Sequence, residues 1–360
     1  MLGLRRDGGL ARSLRLLTLC FYGTGLVLGG AVYTIAGDAA GLAGASSWSA
    51  FVLGAVPALL TGLSYAELAA TFPDAGAEYV YLRHAFPRAR FARVVVGLAL
   101  LCGGLATAAV VALDFGRYVA DLVPLPAVSS AAVLVAAGTL ANAGGLRWTT
   151  PLVVAFTLAE VLGLVAVGAI GAGSPDFGHA LTATPGPGVL AGASLAFLAY
   201  LGFEDIANLA EETRSPARNV PAAILVCLAV TTFLYVLVAL ASVALVDPAT
   251  LASSDRPLVT AVAAVAPWVA RGLGAAVLFG TANTVVVALL AASRMALGMA
   301  RGRDLPNGMA RIHPQRRTPV PAVLAVGGGA LLLVPFAGLP GVASLGILGL
   351  LVGFVAVNVA

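Results

Sequence analysis

The chain has 360 residues, 60% hydrophobic and only 10% charged, with a formal net charge of +4. Soluble domains carry roughly 25% charged residues, so this chain cannot cover a globular surface with polar groups, and its composition reads as that of a polytopic membrane protein. All 20 basic residues are arginine and lysine is absent, which excludes a Walker A phosphate loop and any Schiff-base lysine. His84, His179 and His313 lie far apart, and no HExxH or GxSxG string occurs, so the common zinc-protease and serine-hydrolase signatures are missing. With no nucleophile–base pair and no metal-ligand cluster, neither enzyme activity, nor a metal site, nor a cofactor is expected. Cys20, Cys102 and Cys227 stand singly in apolar runs and read as small core residues.

A membrane-crossing helix needs about 20 apolar residues. Ten hydrophobic spans fit the chain, at 16–37, 46–69, 93–120, 127–143, 149–172, 188–209, 221–246, 268–299, 319–337 and 341–359. Residues 1–15 form a basic leading segment. The apolar stretch behind them runs on to Ala36, which is spanning length rather than the short core of a cleavable signal. The connection 70–92 has mixed polarity and reads as an interfacial or re-entrant segment; 247–267 reads as short lid helices. The GxxxG pairs Gly25–Gly29 and Gly349–Gly353 suit close helix packing. Seventeen arginines fall on one side of these spans, against Arg117, Arg256 and Arg271 on the other. The positive-inside rule therefore expects both termini in the cytoplasm of a multi-pass inner (plasma) membrane protein. The basic balance then reflects topology and contact with anionic lipid, not nucleic-acid binding.

Two spans are interrupted. The first contains Gly23, Gly25, Gly29 and Gly30, and the sixth runs Phe197-Leu198-Ala199-Tyr200-Leu201-Gly202-Phe203-Glu204-Asp205. Each interior glycine weakens a helix by about 1 kcal/mol relative to alanine, and freed backbone groups are tolerated in hydrocarbon only where they line a cavity or meet a ligand. Either break alone also fits close packing through glycine. Span one opens the first five helices and span six the second five, however, and broken helices at corresponding places in two halves point to a transport site. Half-helix N-termini suit a carboxylate and opposing carbonyl ends suit an ammonium, which matches a zwitterionic amino acid.

Four strings resemble the amino acid–polyamine–organocation (APC) superfamily of permeases, over essentially the whole chain. They are Gly29-Gly30-Ala31; Tyr65-Ala66-Glu67-Leu68 with Phe72-Pro73 and Ala75-Gly76-Ala77-Glu78-Tyr79-Val80-Tyr81; Gly202-Phe203-Glu204-Asp205 with Glu211-Glu212, Pro216, Arg218-Asn219 and Pro221; and Ser293-Arg294 with Met299-Ala300-Arg301, Leu305-Pro306 and Thr318-Pro319. The resemblance implies an all-α, LeuT-like fold: ten helices as a 5+5 inverted repeat, here residues 16–172 and 188–360, with helices one and six broken. It also implies a substrate site between spans one, three, six and eight, and alternating access driven by a proton, by sodium or by exchange. The family usually has twelve spans and this chain ends after the tenth. Some relatives couple to protons through a lysine in span five; here the register of Asn142-Ala143-Gly144-Gly145-Leu146-Arg147 puts Glu160 at that place.

The candidate substrate-binding residues are therefore Val27, Gly29, Gly30, Ala31, Phe197, Tyr200, Gly202 and Asn283, and the candidate coupling or gating acids are Glu160 and Glu204. Glu160 reads as a proton carrier, a ligand of a coupling cation, or a hydrogen-bonded structural acid. Neighbouring helical residues point about 100° apart, so Glu204 is chosen over Asp205 as the acid facing the site. Asp114 and Arg117 read as a structural ion pair, Glu67 and Arg294 as contacts near the cytoplasmic ends, and Glu211, Glu212, Arg214 and Arg218 as a solvated charged loop. The expected function is a secondary transporter of amino acids or related amines, with a coupling proton or cation and the lipid bilayer as partners. The alternative is an uncoupled channel or substrate sensor on the same fold.

Overall fold

The computed structural model describes residues 9–360, so Arg5, Arg6 and the first half of the basic leading segment lie outside the described residues. Helix falls in each of the ten expected intervals. The first holds α1 (Leu16–Leu28) and α2 (Ala31–Ala43), the second α3 (Ser47–Thr71). A short α4 (Ala77–Ala85) precedes α5 (Arg90–Leu122), α6 (Ala127–Gly144) and α7 (Leu146–Ala172). After α8 (Phe177–Thr182) come α9 (Val189–Ala199), α10 (Asp205–Asn208) and α11 (Pro216–Leu245). Then follow α12 (Pro248–Ala252), α13 (Pro257–Ala263), α14 (Pro267–Arg301), α15 (Val320–Leu333) and α16 (Pro340–Val359). Among the described residues, seven helical stretches are long and apolar enough to cross a membrane, and α1, α9 and α15 add shorter apolar ones. Helices α11, α12, α13, α14 and α16 open on proline, whose missing N–H costs nothing in a first turn.

The axis of the bundle is α14, buried without interruption from Gly280 to Ala300. Small residues set the helix spacing. A Cβ at Gly349 would stand 2.4 Å from the Ala99 carbonyl and one at Gly353 2.6 Å from Leu100, so α16 lies directly on α5 through the second GxxxG pair. Cys102 is exposed on α5, a departure from the core role expected of it, while Cys227 is buried. The two lid helices of the 247–267 connection, α12 and α13, pack over α2. Helix α4 is no surface segment: Ala77 to Leu82 are all buried and it packs against α5, α14 and α16.

The arginine-rich face is closed by buried polar contacts. The Arg294 guanidinium donates from Nε to Glu212 Oε2 at 2.9 Å and from Nη2 to Glu212 Oε1 at 2.8 Å, with both side chains at 2% exposure or less. Glu212 is thus not part of a solvated loop. The two-pronged fit of guanidinium to carboxylate draws it under α14, and a short stretch of 3-10 helix carries it there. Leu14 N–H donates to the Glu212 carbonyl at 3.0 Å and Arg214 N–H to the Leu14 carbonyl at 2.8 Å, so the leading segment is laced onto the same spot. Arg301 pairs with Glu211, and Glu67 stays exposed. Asp304 accepts from the Tyr79 hydroxyl at 2.6 Å and from Arg90 Nε at 2.8 Å. Burial pushes its carboxyl up, but Tyr79, Arg90 and Arg93 outweigh that and hold it below the usual carboxylate range.

Breaking a buried ion pair leaves an uncompensated charge, at a cost of about 3–5 kcal/mol, whereas an exposed pair contributes about 1 kcal/mol at most. Glu212→Ala is expected to lower the melting temperature of the purified protein clearly, and Asp114→Asn, which breaks the half-exposed pair with Arg117, to leave it nearly unchanged. Equal melting temperatures for the two variants would show that Arg294–Glu212 does not hold this face together.

Candidate functional site

The site is built on two interruptions. Helix α1 stops at Gly29, whose φ of 24° and ψ of −150° suit a residue without a side chain. A Cβ there would also stand 2.6 Å from Thr284 Oγ1. Helix α2 restarts at Ala31, and its first N–H groups have no partner within the helix. The second interruption covers residues 200–204, with Gly202 at φ 120°. The Gly202 N–H donates to Glu204 Oε2 at 2.9 Å, so the carboxylate closes the turn beneath its own residue. The Tyr235 hydroxyl of α11 stands between the breaks, 2.6 Å from the Val27 carbonyl and 2.9 Å from the Ala199 carbonyl, and its single proton is shared by the two acceptors.

A cavity of about 630 Å³ lies against both breaks. Its mouth is at the arginine-poor face, lined by Asp114, Arg117, Asp121, Asp255 and Arg256. Arg117 donates to Asp114 at 2.9 Å, the ion pair expected between them, and Arg256 pairs with Asp121 while lying 4.9 Å above the Tyr118 ring. From there the cavity runs past Val27, Gly29, Gly30, Ala31 and Gly202 to Glu204, Asp205, Asn208 and Glu78 at its inner end. Ala31, Thr34 and Asp38 share one face of α2 and are exposed, so this side of α2 looks onto open space.

Among the sequence candidates, Val27, Gly29, Gly30, Ala31, Gly202 and Glu204 line the cavity. Phe197, Tyr200, Asn283 and Glu160 do not. Tyr200 is fully buried, with its hydroxyl donating to the Phe51 carbonyl at 3.0 Å, and Phe197 meets Phe354 edge-on. Leu198 and Leu201 take the places facing the cavity. Asp205 lines it together with Glu204, against the helical-wheel expectation. Glu204 keeps helical backbone angles, φ −62° and ψ −32°, so the two side chains still diverge, and the cavity is broad enough at its inner end for both to line it.

Asn283 belongs to a second polar cluster behind the cavity. Its Nδ2 donates to Thr157 Oγ1 at 2.9 Å and to Glu160 Oε2 at 3.2 Å, and Thr157 donates to the Phe21 carbonyl at 3.1 Å. Glu160 is wholly buried, and its Oε1, like the Tyr33 hydroxyl, has no hydrogen-bond partner. Two glycines make room: a Cβ at Gly25 would stand 2.1 Å from Asn283 Nδ2, and one at Gly280 2.4 Å from Glu160 Oε1. The cluster joins α1, α7 and α14, three helices any movement of the breaks must involve. Thr281 and Thr284, which line the cavity, are the threonines nearest the Gly29–Gly30 break. Thr281 and Tyr235 escaped sequence reasoning, because one hydroxyl in an apolar run carries no periodic signal.

A family model described as amino acid permease matches residues 14–359. An uncharacterized transporter of Mycobacterium tuberculosis is 34% identical over 359 residues, covering 97% of this chain and 79% of that protein. A chloroplastic cationic amino acid transporter of Arabidopsis thaliana is 31% identical over 330 residues, covering 85% of this chain and 58% of that protein. The branched-chain amino acid permease BcaP of Bacillus subtilis is 26% identical, covering 98% and 81%. Among solved structures, a Na+-coupled sialic acid symporter in a substrate-bound, outward-open state superposes with a TM-score of 0.71 at 11% identity, covering 98% of this chain and 80% of that one. That likeness establishes the LeuT-like transporter fold.

Removing the Tyr235 hydroxyl takes away the one proton that the Val27 and Ala199 carbonyls share, at about 1–3 kcal/mol for a buried acceptor left unsatisfied. Tyr235→Phe is expected to lower the melting temperature and to weaken substrate-induced stabilisation. A variant that melts and responds to substrate like the wild type would show that the two breaks do not depend on this bridge.

Proposed function

The chain belongs to the amino acid permease family, and from that premise we propose that it carries amino acids or related amines across the cell membrane by alternating access, coupled to a proton. One observation supports the substrate class above all: the cavity meets the glycine break where α2 begins, at Gly29, Gly30 and Ala31. Unpaired N–H groups at a helix start favour a carboxylate. The Phe197 and Leu198 carbonyls at the end of α9 already accept from the Tyr200 and Leu201 N–H groups, so the amino group would use their second lone pairs. The relatives named for cationic and for branched-chain amino acids share this substrate backbone and differ in the side chain. The arginine-rich face is read as cytoplasmic.

Glu160 is the proposed proton carrier. The Asn283 amide donates an N–H to Glu160 Oε2, and a carboxyl accepts that bond with or without its own proton. Isolated in the apolar interior, the ionised form is costly, so release of the proton is tied to a change in the surroundings supplied by α1 and α14.

Proteoliposomes test this reading. Wild-type protein is expected to accumulate labelled amino acid under an inward proton gradient, and Glu160→Gln to lose that accumulation while still exchanging amino acid downhill. Accumulation driven by sodium alone would replace the proton with a cation. Purely downhill flux in the wild type would make the protein a channel, and binding without flux a sensor.

A further inference from the structure

The inner end of the cavity carries polar atoms that neither the helix breaks nor the Glu160 cluster employs. Glu78, Glu204 and Asn208 are each 1–2% exposed, come from α4, the second break and α10, and line the same cavity. Each has one oxygen without a hydrogen-bond partner: Glu78 Oε2, Glu204 Oε1 and Asn208 Oδ1. Their other polar atoms are committed. Glu78 Oε1 accepts from the Tyr65 hydroxyl at 3.0 Å, Glu204 Oε2 accepts from the Gly202 N–H, and Asn208 Nδ2 faces Asp205 Oδ1 at 3.4 Å. Asp205 adds a third carboxyl to the same lining. The arginines of the cavity, Arg117 and Arg256, stand at its mouth and are already paired with Asp114 and Asp121. Among the described residues, the inner end holds acceptors and acids with no basic side chain lining it.

Unsatisfied buried acceptors are costly when nothing donates to them, and three of them on residues that line one cavity suit a donor with several N–H groups. An alkylammonium has three donors and no acceptor and brings the charge the acids lack. Resting on the proposed amino-acid reading, we infer that Glu78, Glu204, Asp205 and Asn208 form a cationic side-chain subsite. The substrate class is then a basic amino acid: its carboxylate sits at the start of α2, and its terminal ammonium reaches down to the acids. The span from the Gly29–Gly30 break to Glu78 within one continuous cavity gives a flexible aliphatic stem its place, along Leu26, Leu198 and Leu201.

Lysine and norleucine share a carbon skeleton and differ by the terminal ammonium, so their affinities for purified wild-type protein isolate the subsite. Cadaverine, which lacks the carboxylate, reports the ammonium end alone. Lysine is expected to bind at least about tenfold more tightly than norleucine, the range of a hydrogen-bonded charge. Glu78→Gln is expected to remove that advantage while leaving norleucine binding unchanged, and Asn208→Ala to reduce it. Retained norleucine binding also shows that each variant is folded. Equal affinity for lysine and norleucine in the wild type overturns the subsite and leaves the amino-acid reading standing. Failure of both to bind overturns that reading, and the subsite with it. Cadaverine binding as tightly as lysine supports the acidic subsite and moves the substrate class to diamines.

Discussion

Every polar backbone group placed inside the membrane must find a partner, and two broken helices in one bundle free several at once. The rest of the core is arranged around meeting that demand. Tyr235 of α11 shares its hydroxyl proton between carbonyls at the ends of α1 and α9, and Glu204 closes the Gly202 N–H. Partners therefore come partly from the other half of the chain: α1, in the first five helices, is held by α11 in the second. What these side chains leave open is the start of α2, and that is where the cavity lies.

The same constraint explains why so few polar residues suffice. In an apolar chain rich in alanine and glycine, polar groups are effective only where small neighbours let them approach. Gly25 and Gly280 admit the Asn283–Thr157–Glu160 cluster, and Gly29 admits Thr284. The glycines of span one thus serve two ends. Gly29 supplies a backbone turn, whereas Gly25 lies within helix α1 and supplies only space. Composition alone does not separate these roles, because both appear as glycine in an apolar run.

What was legible in the sequence follows from which signals are local. Span length, the arginine bias and the two glycine breaks are local, and helix falls in all ten expected intervals. The glycines at Gly29, Gly30 and Gly202 declare the breaks, and they line the cavity. Side-chain direction beyond a break is not local. On the turn of α9 before the second break, Leu198 and Leu201 face the cavity while Phe197 and Tyr200 face the protein interior, and Asp205 joins Glu204 at the cavity. Asn283 was placed correctly on the polar centre of α14, but its rotation toward α7 rather than the cavity depends on Gly25 and Gly280 opening that side. Glu212 sits in a mixed-charge run that reads as solvated; only the three-dimensional approach of Arg294 buries it. Glu78 was visible as part of a motif, yet nothing in the string tells that α4 folds inward beneath the breaks.

The open arginine-poor face and the sealed arginine-rich face are held by unequal contacts, which bears on how a transport cycle would run. At the arginine-poor face the pairs Arg117–Asp114 and Arg256–Asp121 stand in water and contribute little to stability, so they can rearrange around a passing solute at small cost. At the arginine-rich face the Arg294–Glu212 pair is dry and two-pronged, and the leading segment is laced to the same residues through Leu14. Pulling that pair apart in a dry interior is expensive; letting water in as it separates removes most of the penalty, because each charge is then solvated. Under the proposed cycle, opening toward the arginine-rich face is therefore coupled to wetting. Residues 211–212 follow directly on α10, which carries Asp205 and Asn208 into the cavity, so a ligand gathered by those groups acts on the backbone that leads to Glu212. The short, poorly regular stretch from Gly202 to Glu212 is the natural place for that change, since it has little helix of its own to lose.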